Sequence, residues 1–396
     1  MVNFVSILSS TLAASSLAGL VASHPGEKHD MAHVKREIDV RQMRAAAAKR
    51  SLGQCQSNLK HRQLMQRSVE RRSKNLQTLR EKRGIAAQSK KLKRDLALLQ
   101  SFEAINHNQT SLVSYDTSTP ESTVFSANTS CILAPEVTDG PYYVVGEIIR
   151  KNVKENQYCD GVDLFLEVQY IDVTTCAPVP GLYVDIWNAN ATGVYSGIVA
   201  TGNDAADGWN STYLRGIQST DSDGVASFET IFPGHYEGRA IHTHLLTKSN
   251  VSVLTNGTTS GGAVTHIGQL FYPETLVSAV EATSPYNTNT QAYTSNDEDM
   301  WSIVQADNDY DPFPEFVYLG DDVTDGLMAW IQIGINTIAD YTGDEYYNVA
   351  AYYQEDGGHE NEDSAFGGGA GGNGTMNGTV PSGAAPSGFA TSTLAA

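Results

Sequence analysis

Between Cys131 and Asn336 the chain is a series of short runs with apolar residues at every second position. Leu164, Leu166, Val168 and Tyr170 alternate with Phe165, Glu167 and Gln169. Leu182, Val184 and Ile186 alternate with Tyr183, Asp185 and Trp187, and Ala329, Ile331, Ile333 and Ile335 with Trp330, Gln332 and Gly334. Period two is the pattern of a strand whose successive side chains leave opposite faces. Gly, Asn, Asp and Pro separate the runs. There is no βαβ rhythm and no glycine loop for a phosphate. Such a pattern predicts a mainly β domain, an antiparallel or mixed β sandwich, over residues 111–354.

Charge divides the rest. The 396 residues carry Lys+Arg 26 against Asp+Glu 45, a net −19, which argues against a nucleic-acid partner for the protein as a whole. Twenty of the 26 basic residues lie between Lys28 and Arg94, whereas residues 101–396 hold 6 basic and 38 acidic residues. Residues 40–100 are rich in Ala, Leu, Gln, Lys and Arg, lack Pro, and read as helix. The zone 24–110 is therefore a basic helical segment with two readings. It is an arm that packs on the acidic body or a partner, or a pro-region trimmed at dibasic pairs such as Lys49-Arg50, Lys82-Arg83 and Lys93-Arg94. At the other end, 355–396 turns acidic and then Gly-, Ala- and Ser-rich, too poor in apolar surface to order itself. That segment is expected to be a disordered tail.

Residues 4–22 are apolar and small, and Ser23 offers a small-residue cleavage site, so 1–23 reads as a signal peptide. Five Ser and one Thr dilute the run below a membrane anchor, and no later run approaches that length, so no membrane partner is expected. Eight Asn-x-Ser/Thr sequons, at Asn108, Asn128, Asn190, Asn210, Asn250, Asn256, Asn373 and Asn377, agree with an extracellular, secreted glycoprotein. Secretion permits disulfides among Cys55, Cys131, Cys159 and Cys176. The last three are close enough in sequence for one pair among them, and the pairing stays open. Cys55 lies in the basic zone, so trimming would leave three cysteines and a free thiol, which weighs against trimming.

One stretch carries chemistry. His242 and His244 are spaced i, i+2, so on a strand both imidazoles leave one face, as a pair of metal ligands would. Alone, His-x-His is weak, but its neighbours add to it. Gly234-His235-Tyr236 presents a tyrosine just before that strand, Arg239 precedes His242 by three residues, and the turn after Trp187 carries Gly193 and Tyr195. Phenolate oxygens are hard anionic donors suited to Fe(III), and a trivalent ion can deprotonate a phenol of ordinary pKa ~10. His235 and His266 read as packing or hydrogen-bonding residues and Trp187 as core. Asp221-Ser222-Asp223-Gly224 reads as a turn, because Phe232 stands where a calcium loop needs Glu.

Taken in order, these motifs resemble the intradiol ring-cleavage dioxygenases, particularly the secreted fungal branch. The elements are Gly140-Pro141-Tyr142-Tyr143, Trp187 to Tyr195, Asp221 to Gly224, Thr230 to Tyr236, Arg239 to His244 and Gln269 to Tyr272. The resemblance implies non-haem Fe(III), with Tyr195, Tyr236, His242 and His244 as ligands. It further implies that Tyr236 yields its place when catechol binds as a dianion and that Tyr195 stays. Arg239 would stabilise negative charge on the bound ring, and Gln269 would bond near the substrate oxygen. The implied reaction cleaves a small aromatic diol with O2 to a muconate-type diacid. Helices preceding the sandwich serve dimerisation in the bacterial catechol enzymes, and the basic helices here could make a homodimer in the same way. Residues 278–313 read as a long insertion over one end of the sandwich. The alternative is a secreted iron-containing β sandwich that binds phenolics without turnover.

Overall fold

A computed structural model describes residues 55, 58–85, 132–133, 138–155, 159–200, 202–299, 301–302, 311–344 and 347–362. The signal-peptide, Gly/Ser-tail and Cys131 readings, and the sequons at Asn108, Asn128, Asn373 and Asn377, lie outside them. The chain first forms helix α1 (Leu59–Lys82), then strands β1 (Ile132–Leu133), β2 (Tyr143–Val145), β3 (Asp163–Asp172) and β4 (Tyr183–Trp187). There follow β5 (Val199–Ala200), β6 (Asn203–Asp204), β7 (Arg215–Ser219), β8 (Val225–Ile231) and β9 (His242–Ser249). After β10 (Ser252–Val253), β11 (Thr259–Ser260) and β12 (Ala263–Phe271) comes helix α2 (Glu274–Glu281). The last strands are β13 (Glu315–Tyr318), β14 (Leu327–Ile335), β15 (Val349–Gln354) and β16 (Gly357–Glu360).

The expected alternating runs fall on β3, β4 and β14. β14 and β3 lie parallel, and β8 and β13 join them antiparallel, in a five-stranded sheet ordered β1-β14-β3-β8 with β13 on β14. An antiparallel sheet, β12-β9-β4-β7, stacks on it. Between them lies the main core, where Leu164, Leu166 and Val168 of β3 meet Val184 and Ile186 of β4 and Leu245 of β9. The outer face of the four-stranded sheet is covered in turn by the β16-β15-β2 sheet. A second apolar cluster there joins Tyr142, Tyr143, Trp187, Tyr195, Tyr236 and Ala351. Residues on even-numbered β9 positions 242–248 face this second layer, which sets where the site is built.

The opposite surface of the sandwich is covered by α1. Its Leu76 packs on Val317, Leu319, Met328 and Trp330. Polar positions of β3 are buried beneath it: Glu167 is 2% exposed and accepts from Arg72 Nε (2.8 Å) and Arg71 Nη2 (3.0 Å). Ser68 Oγ donates to Gln169 Oε1 at 2.9 Å, Arg67 pairs with Asp223, and Arg83 pairs with Asp163. The basic helix thus neutralises carboxylates of its own body. It ends at Lys82, where Gly84 takes φ +66 and the chain turns, and the rest of the expected 40–100 helical run lies mostly outside the described residues.

Two further features go beyond what the sequence decides. The disulfide joins Cys55 to Cys176, 121 residues apart, and Cys159 is a free thiol, so the pair is not among the last three cysteines. Once α1 docks along β3, Cys55 is carried beside the turn after that strand, a proximity that spacing does not reveal. Order also continues past the boundary at 354. β15 pairs with β16, and Asn210 Oδ1 accepts from Gly358 N at 2.9 Å, so the acidic stretch is stitched to the body as far as 362. Among the described residues no helix is long and apolar enough to cross a membrane.

Candidate metal centre

Two turns and one strand bring the donors together. After β4 the chain turns at Asn190, whose Oδ1 accepts from Thr192 N and Val194 N, both at 3.0 Å. Tyr195 is then fixed by Asn203, which accepts from Tyr195 N at 2.6 Å and returns Nδ2 to Tyr195 O at 3.0 Å. The turn bearing Tyr236 abuts the first one. Gly193 (φ +80) has no room for a side chain, since a Cβ would lie 2.1 Å from His235 O. A Cβ on Gly234 would lie as close to the backbone, 2.3 Å from Ala191 O. Glycine at both places lets two tyrosine turns nest against each other.

On β9, His242 and His244 face the second layer as their spacing requires. His242 Nδ1 donates to Ala240 O at 2.6 Å, which leaves the Nε2 lone pair directed at the other donors. Around that Nε2 lie His244 Nε2 at 2.9 Å, Tyr236 Oη at 3.4 Å and Tyr195 Oη at 3.5 Å. All four side chains are buried. His244 is also stacked on Trp187, ring centroids 4.6 Å apart and planes within 5°. Trp187, expected as core, is both core and wall of the site. Behind it stands Tyr143, ring centroid 4.9 Å away, whose Oη donates to Asp185 Oδ2 at 2.9 Å.

Register explains why these groups meet. Trp187 pairs with His244 across β4–β9, and Gln269 pairs with His244 across β12–β9, so the three stand in one row on one face. Gln269 donates Nε2 to Thr138 O at 2.8 Å, and its Oε1 accepts from Arg239 Nη2 at 2.5 Å. All six residues singled out in the sequence, Tyr195, Tyr236, Arg239, His242, His244 and Gln269, are therefore gathered here. His235 and His266 stand apart: His235 bonds Glu281 Oε2 (3.0 Å) and Gln291 O (3.1 Å), and His266 is packed beside Tyr170.

Burial sets the protonation of this cluster when no metal is bound. Burial pushes the Tyr195 and Tyr236 phenols well above their ordinary pKa, and burial together with Arg239 pushes the His242 imidazole well down. Without a compensating ion the phenols are neutral and His242 is uncharged. A trivalent ion held by the four atoms would reverse the phenol balance, with two phenolates set against its charge. Among the described residues no group of three or more His, Cys, Asp or Glu is placed to hold a metal. A metal held by this cluster would need its phenol oxygens, a donor set that fits ferric iron better than softer ions. A cavity of about 90 Å³ between α1 and β3, lined by Lys82, Lys151 and Glu229 among others, gathers no such donors.

Sequence reasoning missed Asp299, fully buried and 2.8 Å from Arg239 Nε. It lies in the 278–313 stretch, which has no periodicity to mark it. That stretch does more than decorate. Gln291 Nε2 donates to Thr192 O (2.7 Å) in the Tyr195 turn, Asn289 Nδ2 to His235 O (2.7 Å), and Gly238 N to Thr294 Oγ1 (3.2 Å). Residues 285–302 are a strap tied to both tyrosine turns.

A family model described as Dioxygenase matches residues 138–254, the segment holding all four donors. An intradiol ring-cleavage dioxygenase from Tetranychus urticae is 30% identical, aligned over 53% of this chain and 97% of that one, with TM-score 0.45. A catechol 1,2-dioxygenase from Acinetobacter sp. ADP1 is 18% identical over 52% and 64%, TM-score 0.36. The dioxygenase domain of a carbohydrate-binding fusion from Streptomyces sp. SirexAA-E is 21% identical over 51% and 97%, TM-score 0.32. No curated protein sequence matches. The segment matched by the Dioxygenase family model spans the whole cluster, and the chain is similar to intradiol ring-cleavage dioxygenases.

Proposed function

We propose that this protein is a secreted Fe(III)-dependent dioxygenase that opens catechol-type rings between the two hydroxyl-bearing carbons, giving muconate-type diacids. The observation that carries the proposal is the convergence of Tyr195 Oη, Tyr236 Oη and His244 Nε2 within 3.5 Å of His242 Nε2. When bound, ferric iron supplies Lewis acidity that activates the catecholate ring towards O2. Both oxygen atoms of O2 enter the diacid, so no external reductant is needed. Export is supported by the apolar 4–22 segment and by a disulfide, which suits an oxidising compartment.

The chain's own residues have separable tasks. Tyr236, once ionised by the metal, would take a proton at Oη as a catechol hydroxyl ionises, because burial favours its neutral phenol. Tyr195 is anchored by Asn203 on both its backbone N–H and C=O and keeps its place. Arg239 is fully buried and acts on both phenols, where a fixed cation stabilises negative charge developing on the substrate oxygens. Gln269, fixed at both ends of its amide, orients that charge relative to the ring. Tyr142, 4.9 Å from the Tyr195 ring, and Trp187 close the site to water.

Oxygen uptake by the iron-loaded protein, measured against a panel of catechols with product mass determined, tests the proposal. One O2 consumed per ring-opened diacid is expected. Ligand-dependent colour change without O2 consumption would make the protein a phenolic binder instead.

A further inference from the structure

Asp299 is the one carboxylate in the strap that reaches the reactive side of the site. Both of its oxygens are engaged. Oδ2 accepts from Arg239 Nε and from Ala240 N, each at 2.8 Å. Oδ1 accepts from Trp301 N at 2.8 Å and Ser302 N at 3.2 Å. A fully buried carboxylate is costly unless paired and bonded in this manner. Its two partners on the Oδ2 side are the guanidinium that bonds Gln269 and the N–H of Ala240, the residue whose own carbonyl, in the next peptide, receives His242 Nδ1 at 2.6 Å.

We propose that Asp299 is a positioning residue: from the strap it fixes the guanidinium plane of Arg239 and, through the Ala240 N–H, the backbone of the residue whose carbonyl holds the His242 ring, and so sets the aim of the guanidinium directly and of the His242 ring through one residue of backbone. The inference rests on the proposed dioxygenase reading and adds to it a role for the 285–302 strap. With Nε held by Asp299, Arg239 keeps Nη2 on Gln269 and cannot rotate about its last side-chain bonds. A group whose task is to meet charge appearing only in the transition state depends on this fixed aim, because reorientation during the reaction forfeits the gain. Loss of Asp299 should therefore act on turnover more than on substrate binding.

The test compares Asp299→Asn with Tyr293→Phe, which removes a strap contact to Glu274 that does not touch Arg239. In the Asn variant kcat is expected to fall by about 10- to 100-fold with KM changed less than about threefold. The visible band of the resting ferric protein should also shift, since the backbone that holds the His242 ring is released. Tyr293→Phe should leave both unchanged. If the Asn variant does not accumulate folded, Asp299→Ser, which leaves room for water beside Arg239, is read in the same way. Wild-type kcat and an unshifted band in the Asp299 variant would overturn the proposal, as would an equal loss in Tyr293→Phe, which would make the strap a simple structural tie. A wild-type protein that takes up iron without colour and consumes no O2 would sink the dioxygenase reading itself, and this role with it.

Discussion

Replacing Glu167 by Leu should destabilise the protein by about 3–5 kcal/mol, the cost of stranding one partner of a buried ion pair. The structure sets the magnitude. Arg72 is 1% exposed and donates Nε to Glu167 at 2.8 Å, with the Trp330 ring 5.7 Å from its guanidinium carbon. It cannot swing to water while α1 stays docked. Arg71 is 19% exposed at its side chain and can relax, so it contributes little. In urea, with a slope of about 3 kcal/mol per molar, the midpoint should fall by roughly 1–2 M. The double variant Glu167→Leu/Arg72→Met, which removes both charges, should recover most of the loss. A single-variant cost below about 1 kcal/mol would show that Arg72 reaches solvent and that α1 is not locked by this pair.

The same pair gives a pH dependence. Burial alone would raise the Glu167 pKa, but Arg72 and then Arg71 outweigh it and hold the carboxyl below its usual range. A depressed folded-state pKa stabilises at pH above the unfolded value of about 4.3, and that stabilisation is lost as pH falls through the folded value. Amide exchange in α1 should accelerate in mild acid in the wild type and be insensitive to this step in the double variant. Tyr236→Phe should leave the melting temperature of the iron-free protein within a few degrees while removing most ring-cleaving activity and shifting or weakening the visible band. Gly193→Ala should cost about 2 kcal/mol or more and reduce iron occupancy, because both its φ of +80 and the 2.1 Å approach to His235 O exclude a Cβ. Opening the 121-residue Cys55–Cys176 loop with Cys55→Ser should cost about 5 kcal/mol in the chain-entropy treatment, read from denaturation of the variant against the oxidised protein.

The strands were legible because each has one face in the main core, and Leu164, Leu166 and Val168 announce that face by period two alone. Glu167 and Gln169 on the other face look solvated, yet α1 buries them, and nothing within β3 points to a helix about 95 residues earlier. The basic run around Arg67 to Arg83 told of charge but not of its partners, since those carboxylates are scattered over Asp163, Glu167 and Asp223. The donor cluster was legible for a different reason. Two of its members share one strand at i, i+2, and the tyrosines sit in turns flanked by the glycines that close contact demands. Asp299 lacks any such local signature. Its role arises only when the strap folds back over Arg239, a contact made 60 residues further along the chain.

The most direct test of the proposed iron centre is a visible spectrum of the purified protein with iron quantified on the same sample. A broad charge-transfer band at close to one Fe(III) per chain, lost in Tyr195→Phe/Tyr236→Phe, is the expected result. A protein that binds Fe(III) at the same ratio and remains colourless would contradict it, because the phenol oxygens of Tyr195 and Tyr236 would then not be ligands.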